Sequence, residues 1–489
     1  MTRAAQVYLI IVSIAALGIF AILRAGSRIE PPHSVVARTA LSAPLRQHTG
    51  PALPANDFLA VAGAALQQNA TNSLSRLFLQ LLLIIGFACV LGAVFQRIGQ
   101  PAVVGEMIAG ILLGPSLFGV LAPRAFAFVF APASLEPLRL LSQIGVCLFL
   151  FAVGMELDLS QLKKRIQTAI VVSHSSIVIP YLLGVVLALF LFQRLAQPGA
   201  SFPAFALFMG ISMSITAFPV LVRILKDRNL FQTSLGSMAT ACAAVDDVSA
   251  WTILAFVVAI ARATSMGAAA VTFGCVILFV ALILLVLRPG LPRWIGQAGL
   301  ERPQPDKVTL AIVLGTVLAC AFSTELIGIH ALFGAFVAGI VMPATSGFRE
   351  KLIVRVENIS SVLLLPVFFA FTGLRTQIGL LGDVRDWAVC LVIIGVATLG
   401  KLGGSALAAR FTGLDTRSSL QLGALMNTRG LMELIALNIG YDLGILSQRI
   451  FTMLVLMAIV TTVMTGPLLF LFGGKDRIPG AEAQPLRAA

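Results

Sequence analysis

Charge is what this sequence has least of. Of its 489 residues, 11% are Asp, Glu, Lys or Arg, against about 25% in an ordinary soluble domain. With 58% of residues hydrophobic, that scarcity excludes a water-soluble globular protein and leaves a chain whose solvent is the lipid bilayer. Histidine is sparse as well. His33, His48, His174 and His330 stand far apart, so a metal cluster built on imidazole is not expected. The six cysteines, Cys89, Cys147, Cys242, Cys275, Cys320 and Cys390, each lie in an apolar stretch with no CxxC pair. They read as packing residues, and no cofactor is expected. The net charge of +13 would suggest nucleic acid in a soluble chain. Here Lys and Arg fall between apolar segments, where they orient a membrane protein, so no nucleic-acid partner is expected.

At about 20 apolar residues per span, the length predicts an all-α polytopic membrane protein. Tyr8 to Leu23 is apolar, follows Arg3, and reads as either an N-terminal signal anchor or a cleaved signal peptide covering residues 1–24. No clear cleavage site stands near Arg24, which favours the uncleaved anchor. The Pro, Ala and Ser-rich stretch at 25–74 reads as a disordered extracytoplasmic linker. From 75 to 472, apolar runs predict thirteen transmembrane helices. They lie near 75–95, 101–120, 138–156, 168–192, 202–225, 233–260, 268–288, 307–325, 329–343, 352–373, 387–410, 419–438 and 448–472. The stretch at 473–489 reads as a short cytoplasmic tail; it contains no GxGxxG, so no nucleotide-binding domain is expected. Loops after odd-numbered helices, with the tail, hold nineteen Lys and Arg, and loops after even-numbered helices hold seven. That asymmetry places the C-terminus in the cytoplasm and fits a bacterial inner membrane.

Against this apolar background the ionisable residues inside helices stand out. A charge at the bilayer centre costs from about 2.5 to above 10 kcal/mol, so each such group is a functional candidate. In Ala239-Thr-Ala-Cys-Ala-Ala-Val-Asp-Asp-Val-Ser-Ala-Trp251, Asp246 and Asp247 sit roughly 18 Å into their helix. That depth is close to the midplane of a core about 30 Å thick. Lys401, in Thr398-Leu-Gly-Lys-Leu-Gly-Gly404, lies at a similar depth. A lone ammonium there is costly, so a salt bridge to an aspartate, with Asp246 the candidate, is the economical reading. Two adjacent carboxylates repel when both are ionised, so a proton or a bound Na+ or K+ must neutralise one of them. Proton and cation then compete for one place.

Two segments read as interrupted helices. In Ser212-Met-Ser-Ile-Thr-Ala-Phe-Pro-Val220, Ser214 and Thr216 precede Pro219, which cannot donate its amide and crowds the turn before it. In Met426-Asn-Thr-Arg-Gly-Leu-Met-Glu433, the residues Asn427, Thr428, Arg429, Gly430 and Glu433 interrupt a second span. The first break precedes the Asp246–Asp247 helix and the second follows the Lys401 helix. Two three-helix units, about 168–260 and 387–472, therefore each have a broken middle member, the pattern of an inverted repeat around a midplane ion site.

Other polar residues carry weaker signals. Glu106, Glu156 and Asp158 read as packing or interfacial groups. Arg429 and Glu433, four apart on one helical face, neutralise each other. His330 opens a helix and reads as a satisfied interfacial residue. Alternatives stay open beside the ion-exchange reading: a buried ion pair that only locks packing, a Mg2+-diphosphate site, a proton-independent cation channel, or a transport-inactive sensor. The diphosphate reading lacks its second acidic repeat after Asp247, and no TVGYG-like filter occurs in the chain.

Several stretches together resemble a known family. They are Pro101-Ala-Val-Val-Gly-Glu-Met-Ile-Ala-Gly-Ile-Leu-Leu-Gly-Pro-Ser116, Gly145-Val-Cys-Leu-Phe-Leu-Phe-Ala-Val-Gly-Met-Glu-Leu-Asp158 and Ile215-Thr-Ala-Phe-Pro-Val-Leu-Val-Arg-Ile-Leu225. The Asp246–Asp247 helix, His330-Ala-Leu-Phe-Gly-Ala-Phe336 and Asn427-Thr-Arg-Gly-Leu-Met-Glu-Leu434 complete the set. The chain resembles the monovalent cation/proton antiporter-2 family of the sodium/hydrogen exchanger superfamily, over about residues 75–472. Its motifs are most similar to the plant and fungal cation/H+ exchanger branch, without that branch's soluble C-terminal domain. The resemblance implies the sodium/proton-antiporter fold, exchange of Na+ or K+ for protons by alternating access, and a homodimer. It implies core helices at about 168–260 and 387–472, with the remainder a panel domain for dimerisation. It also implies Asp247 as principal cation and proton ligand, Asp246 with Lys401 as an ion pair broken on cation binding, and Thr216 near the broken-helix crossing. By the same resemblance the aspartate pair with a membrane lysine points to electrogenic exchange.

Overall fold

The computed structural model describes residues 69–70, 72–156, 166–262, 266–302 and 304–473. The expected anchor, nearly all of the linker, Asp158 and the tail lie outside the described residues. Among the described residues the chain is helical, with one isolated β-bridge between Ala196 and Leu446.

The helices follow from apolar runs punctuated by caps. We number them α1 (Ser73–Arg97), α2 (Ala102–Leu113), α3 (Leu135–Glu156), α4 (Ile166–Leu195), α5 (Phe202–Ser214) and α6 (Phe218–Asp227). Then come α7 (Ser234–Arg262), α8 (Met266–Leu282), α9 (Arg288–Glu301), α10 (Lys307–Ile327), α11 (Ala331–Ile340) and α12 (Phe348–Ile359). The last six are α13 (Leu365–Arg375), α14 (Val384–Thr398), α15 (Gly404–Phe411), α16 (Thr416–Met426), α17 (Leu431–Asp442) and α18 (Gln448–Gly473). Ser201, Asp306 and Asp415 cap α5, α10 and α16, each accepting from a backbone amide three residues on, which satisfies one of the orphan donors of a helix start. Gly328, at φ +94°, ends α10 in the left-handed conformation that favours glycine.

Among the described residues, eleven helical segments are long and apolar enough to cross a membrane. Helix lies in each of the thirteen expected stretches, but thirteen separate spans are not seen: α11 has 10 residues, and the segment near 419–438 is split into α16 and α17, as that near 202–225 is into α5 and α6. Three π-helical turns interrupt the ladder, at Ile283–Leu287, Ser360–Leu364 and Leu399–Gly403. The third holds Lys401 and joins α14 to α15.

Two bodies pack side by side. In the scaffold, α2 lies on α1 and α13, and α3 on α11 and α13. Its helices approach through glycine pairs, as membrane helices do where small residues let backbones touch. A Cβ at Gly373 would lie 2.0 Å from the backbone of Gly110, and one at Gly339 would lie 2.2 Å from the Phe151 carbonyl. The second body contains both three-helix units, α4 to α7 and α14 to α18, and one large apolar cluster runs from it into α2, α3, α11 and α13 of the scaffold. Within it α4 packs on α5, α7 and α15, and α18 packs on α14, α16 and α17. An ion pair of 2.9 Å between Arg194 and the buried Asp386 ties α4 to α14 at one end. Buried on nearly every face, α5 lies inside this body.

Candidate functional site

The site begins with two interrupted backbones. The chain leaves the helix at Ile215 and Ala217 in extended conformation and re-enters at α6, with Pro219 in its first turn, where a missing N–H is harmless. Opposite, α16 stops at Met426 and α17 starts after Gly430. Gly430 permits close contact: a Cβ there would lie 2.9 Å from the Val220 side chain.

The breaks cross and exchange hydrogen bonds. The Thr216 hydroxyl donates to the Met426 carbonyl at 3.0 Å, and the Ala217 amide donates to the Thr428 carbonyl at 3.0 Å. Behind the second break, the Thr462 hydroxyl accepts from the Arg429 amide at 3.0 Å, and the Thr428 and Thr465 hydroxyls lie 3.3 Å apart.

Each half-helix brings a partial charge to the crossing. At the C-terminus of α5 the carbonyls of Ser212, Met213 and Ser214 have no helical partner. The Arg429 guanidinium donates to Ser212 and Met213 at 2.7 and 2.6 Å, and Lys401 Nζ donates to Ser214. Two cations therefore occupy the negative end of one dipole. At the N-terminal side of α6, the Thr216 amide donates to Asp246 Oδ2 at 2.9 Å, and the Phe218 amide faces Asp247 without completing a hydrogen bond.

Asp246, Asp247, Lys401, Arg429 and Glu433 are all fully buried. Lys401 Nζ lies 3.1 Å from Asp246 Oδ2, and Ser176 of α4 donates to Asp246 Oδ1 at 3.4 Å. Arg429 lies 3.1 Å from Glu433 Oε2, so the pair does neutralise itself, while the guanidinium also holds two carbonyls that sequence reasoning did not assign to it. Neither oxygen of Asp247 has a hydrogen-bond partner. The crossing thus holds three acidic and two basic side chains, and Asp247 is the acid without a counter-charge.

Of the residues singled out in the sequence, Ser214, Thr216, Asp246, Lys401 and Arg429 form one connected network, with Asp247 facing α6 beside it. Pro219 lines a cavity instead. Asn427 caps α16, with both side-chain amide atoms buried and unpartnered. Sequence reasoning missed Ser176, Thr462 and Thr465, ordinary residues of apolar helices whose spacing carries no signal. One expectation is corrected: His330, read as satisfied, stands just before α11 at φ +87°, and its buried Nδ1 has no hydrogen-bond partner. Among the described residues no three His, Cys, Asp or Glu side chains group as a metal cluster.

A cavity of about 350 Å³ leads to the crossing, from Glu156, Lys226 and Asp227 to Ala217 and Leu431. A second cavity, of about 30 Å³, is walled by Ser142, Ile435, Arg375 and Asp442.

The chain is 42% identical over 400 residues to the Na(+)/H(+) antiporter NhaS4 of Synechocystis, covering 81% of this chain and 97% of that protein. It is 39% identical to the Cation/H(+) antiporter 17 of Arabidopsis thaliana and 33% to the K(+)/H(+) antiporter 1 of Saccharomyces cerevisiae. These matches cover 81% and 82% of this chain and 48% and 46% of those longer proteins. The fold is similar to that of the sodium proton antiporter MjNhaP1 of Methanocaldococcus jannaschii, with a TM-score of 0.57 at 13% identity, covering 81% of this chain and 97% of that one. A family model described as sodium/hydrogen exchanger, transmembrane, matches residues 83–472, and the chain belongs to that family.

Proposed function

We propose that this protein exchanges Na+ or K+ for protons across a membrane by alternating access, with Asp247 as the group the two ions share. The observation that carries this reading is the charge count at the crossing. Lys401 offsets Asp246 and Arg429 offsets Glu433, so the ionised Asp247 needs one positive charge. A proton supplies it covalently; a monovalent cation supplies it electrostatically, with the carboxylate oxygens as hard ligands. Occupancy by either excludes the other, and competition of that kind couples the two fluxes. A site that stays charged when empty is costly to carry through the bilayer, so an empty, unprotonated carrier crosses poorly and ion leak is suppressed.

In this reading the body bearing the crossing moves against the scaffold, and the 350 Å³ cavity is the inward-facing vestibule. Cation binding weakens the Lys401–Asp246 pair, and the Ser214 carbonyl retains the ammonium meanwhile. The segments α11 and α16–α17 complete thirteen spans within a transport domain at 75–472, preceded by the anchor and linker. The C-terminus faces the cytoplasm of a bacterial cell, and the protein works as a homodimer through its scaffold helices. Relatives named for Na+ and for K+ leave both ions as substrates to test.

The test uses proteoliposomes acidified inside and loaded with a pH dye, to which Na+, K+, Li+ or Rb+ is added in turn. Dequenching by one or more cations, lost in Asp247→Asn, supports exchange. Cation flux without proton movement overturns it in favour of a channel.

A further inference from the structure

The two cavities border successive stretches of α3. Phe149, Ala152, Val153 and Glu156 border the wide one, and Ser142, Gln143 and Val146 border the narrow one. The narrow mouth is closed by a specific set of side chains that no local pattern required. Arg375 is the last residue of α13, in the scaffold, and Asp442 is the last residue of α17, in the other body. Arg375 Nη2 lies 2.6 Å from Asp442 Oδ1, and Nη1 donates to Asn438 Oδ1 at 2.8 Å. Asn438 donates back across the seam to the Thr372 hydroxyl at 2.9 Å. The guanidinium also lies 4.4 Å from the Phe371 ring centre and 5.1 Å from that of Tyr441, one ring from each body.

Resting on the exchange reading above, we propose that Arg375, Asn438 and Asp442 form the latch that closes this mouth, and that it parts whenever Asp247 turns to that side of the membrane. Three features favour a latch over a static brace. Its contacts join the two bodies that must move relative to each other. Asp442 is 37% exposed, so water can take over its hydrogen bonds when the pair separates, as a reversible contact requires. And α17 is the half-helix that begins at the crossing beside Arg429, so a shift at the ion site is transmitted about 18 Å along one rigid rod to Asp442.

The experiment measures cysteine accessibility in purified protein rather than transport. Ile435→Cys reports the narrow cavity and Val222→Cys the wide one; each is labelled with a maleimide in otherwise native protein and in protein carrying Asp442→Asn or Arg375→Gln. The same proteins without the introduced cysteine supply the background from the six native thiols. The latch predicts that Asp442→Asn speeds labelling at 435 about tenfold and slows it at 222, as a population shift toward the opposite-facing state requires. Charge exchange, Arg375→Asp with Asp442→Arg, restores the native rates. Unchanged labelling at 435, or faster labelling at both positions, overturns the proposal. Because no ion flux is read, this result and the proteoliposome result stand or fall separately.

Discussion

Asp246 and Asp247 are neighbours in the chain and equally buried, yet Asp246 accepts from Lys401, Thr216 and Ser176 while neither oxygen of Asp247 has a hydrogen-bond partner. Successive helical residues point about 100° apart, so one carboxylate meets Lys401 and the amide of the first break while the other faces the start of α6. From this asymmetry we propose different jobs for them: a fixed structural charge and an exchangeable one.

Asp247→Asn removes the exchangeable charge at nearly constant shape. Cation-dependent proton movement is lost, while thermal unfolding in detergent stays within a few degrees of the native value, because no hydrogen bond is broken. A large drop in unfolding temperature would instead make Asp247 a structural residue.

Lys401→Ala acts oppositely. It leaves the Asp246 charge buried without its counter-ion, which costs about 3–5 kcal/mol. The double variant Lys401→Ala with Asp246→Asn recovers part of that loss, since it removes both charges. Chemical unfolding of the single and double variants checks this; an equally unstable double variant would deny the coupling.

Thr216→Val deletes the hydroxyl that bonds the Met426 carbonyl and keeps the amide that bonds Asp246. Leaving that carbonyl unpaired costs about 1–3 kcal/mol, and loosening of the crossing raises the cation KM more than it lowers kcat. Transport titrations read both constants.

Competition fixes the sign of the pH response. Lowering pH adds protons that occupy Asp247, so the apparent cation affinity falls as pH falls, approaching about tenfold per pH unit where one proton competes with one cation. A KM independent of pH across the active range would exclude a shared site.

Gly373→Ala tests the scaffold. Its Cβ would overlap the Gly110 backbone, which cannot yield as a flexible side chain would, so α2 and α13 separate and the yield of monodisperse protein collapses. Gly395→Ala, at a position with no atom within 4 Å, is the matched control and leaves the yield unchanged.

Much of this architecture was legible in the sequence, because bilayer physics writes helices as apolar runs and makes each buried charge conspicuous. Pro219 and Gly430 marked the two breaks through backbone chemistry alone, and Lys401 stood out in an apolar helix. What was not legible depends on tertiary crossing. Arg429 looked like half of a local pair with Glu433, and its bonds to Ser212 and Met213, more than 200 residues away in sequence, follow only once α5 and α17 meet. The π-helical turn around Lys401 left no mark either, since it shifts register without a change in residue type. Arg375 and Asp442 left no signal either, because a charge at a loop end reads the same whether it orients the chain or bridges a seam.

The central claim is that a cation displaces a proton from Asp247. The most direct measurement adds Na+ or K+ to purified, weakly buffered protein and counts the protons released with a soluble pH dye. The account predicts release that saturates with cation concentration in the native protein and vanishes in Asp247→Asn; saturable release of the same size from Asp247→Asn, or cation binding to the native protein without release, would contradict it.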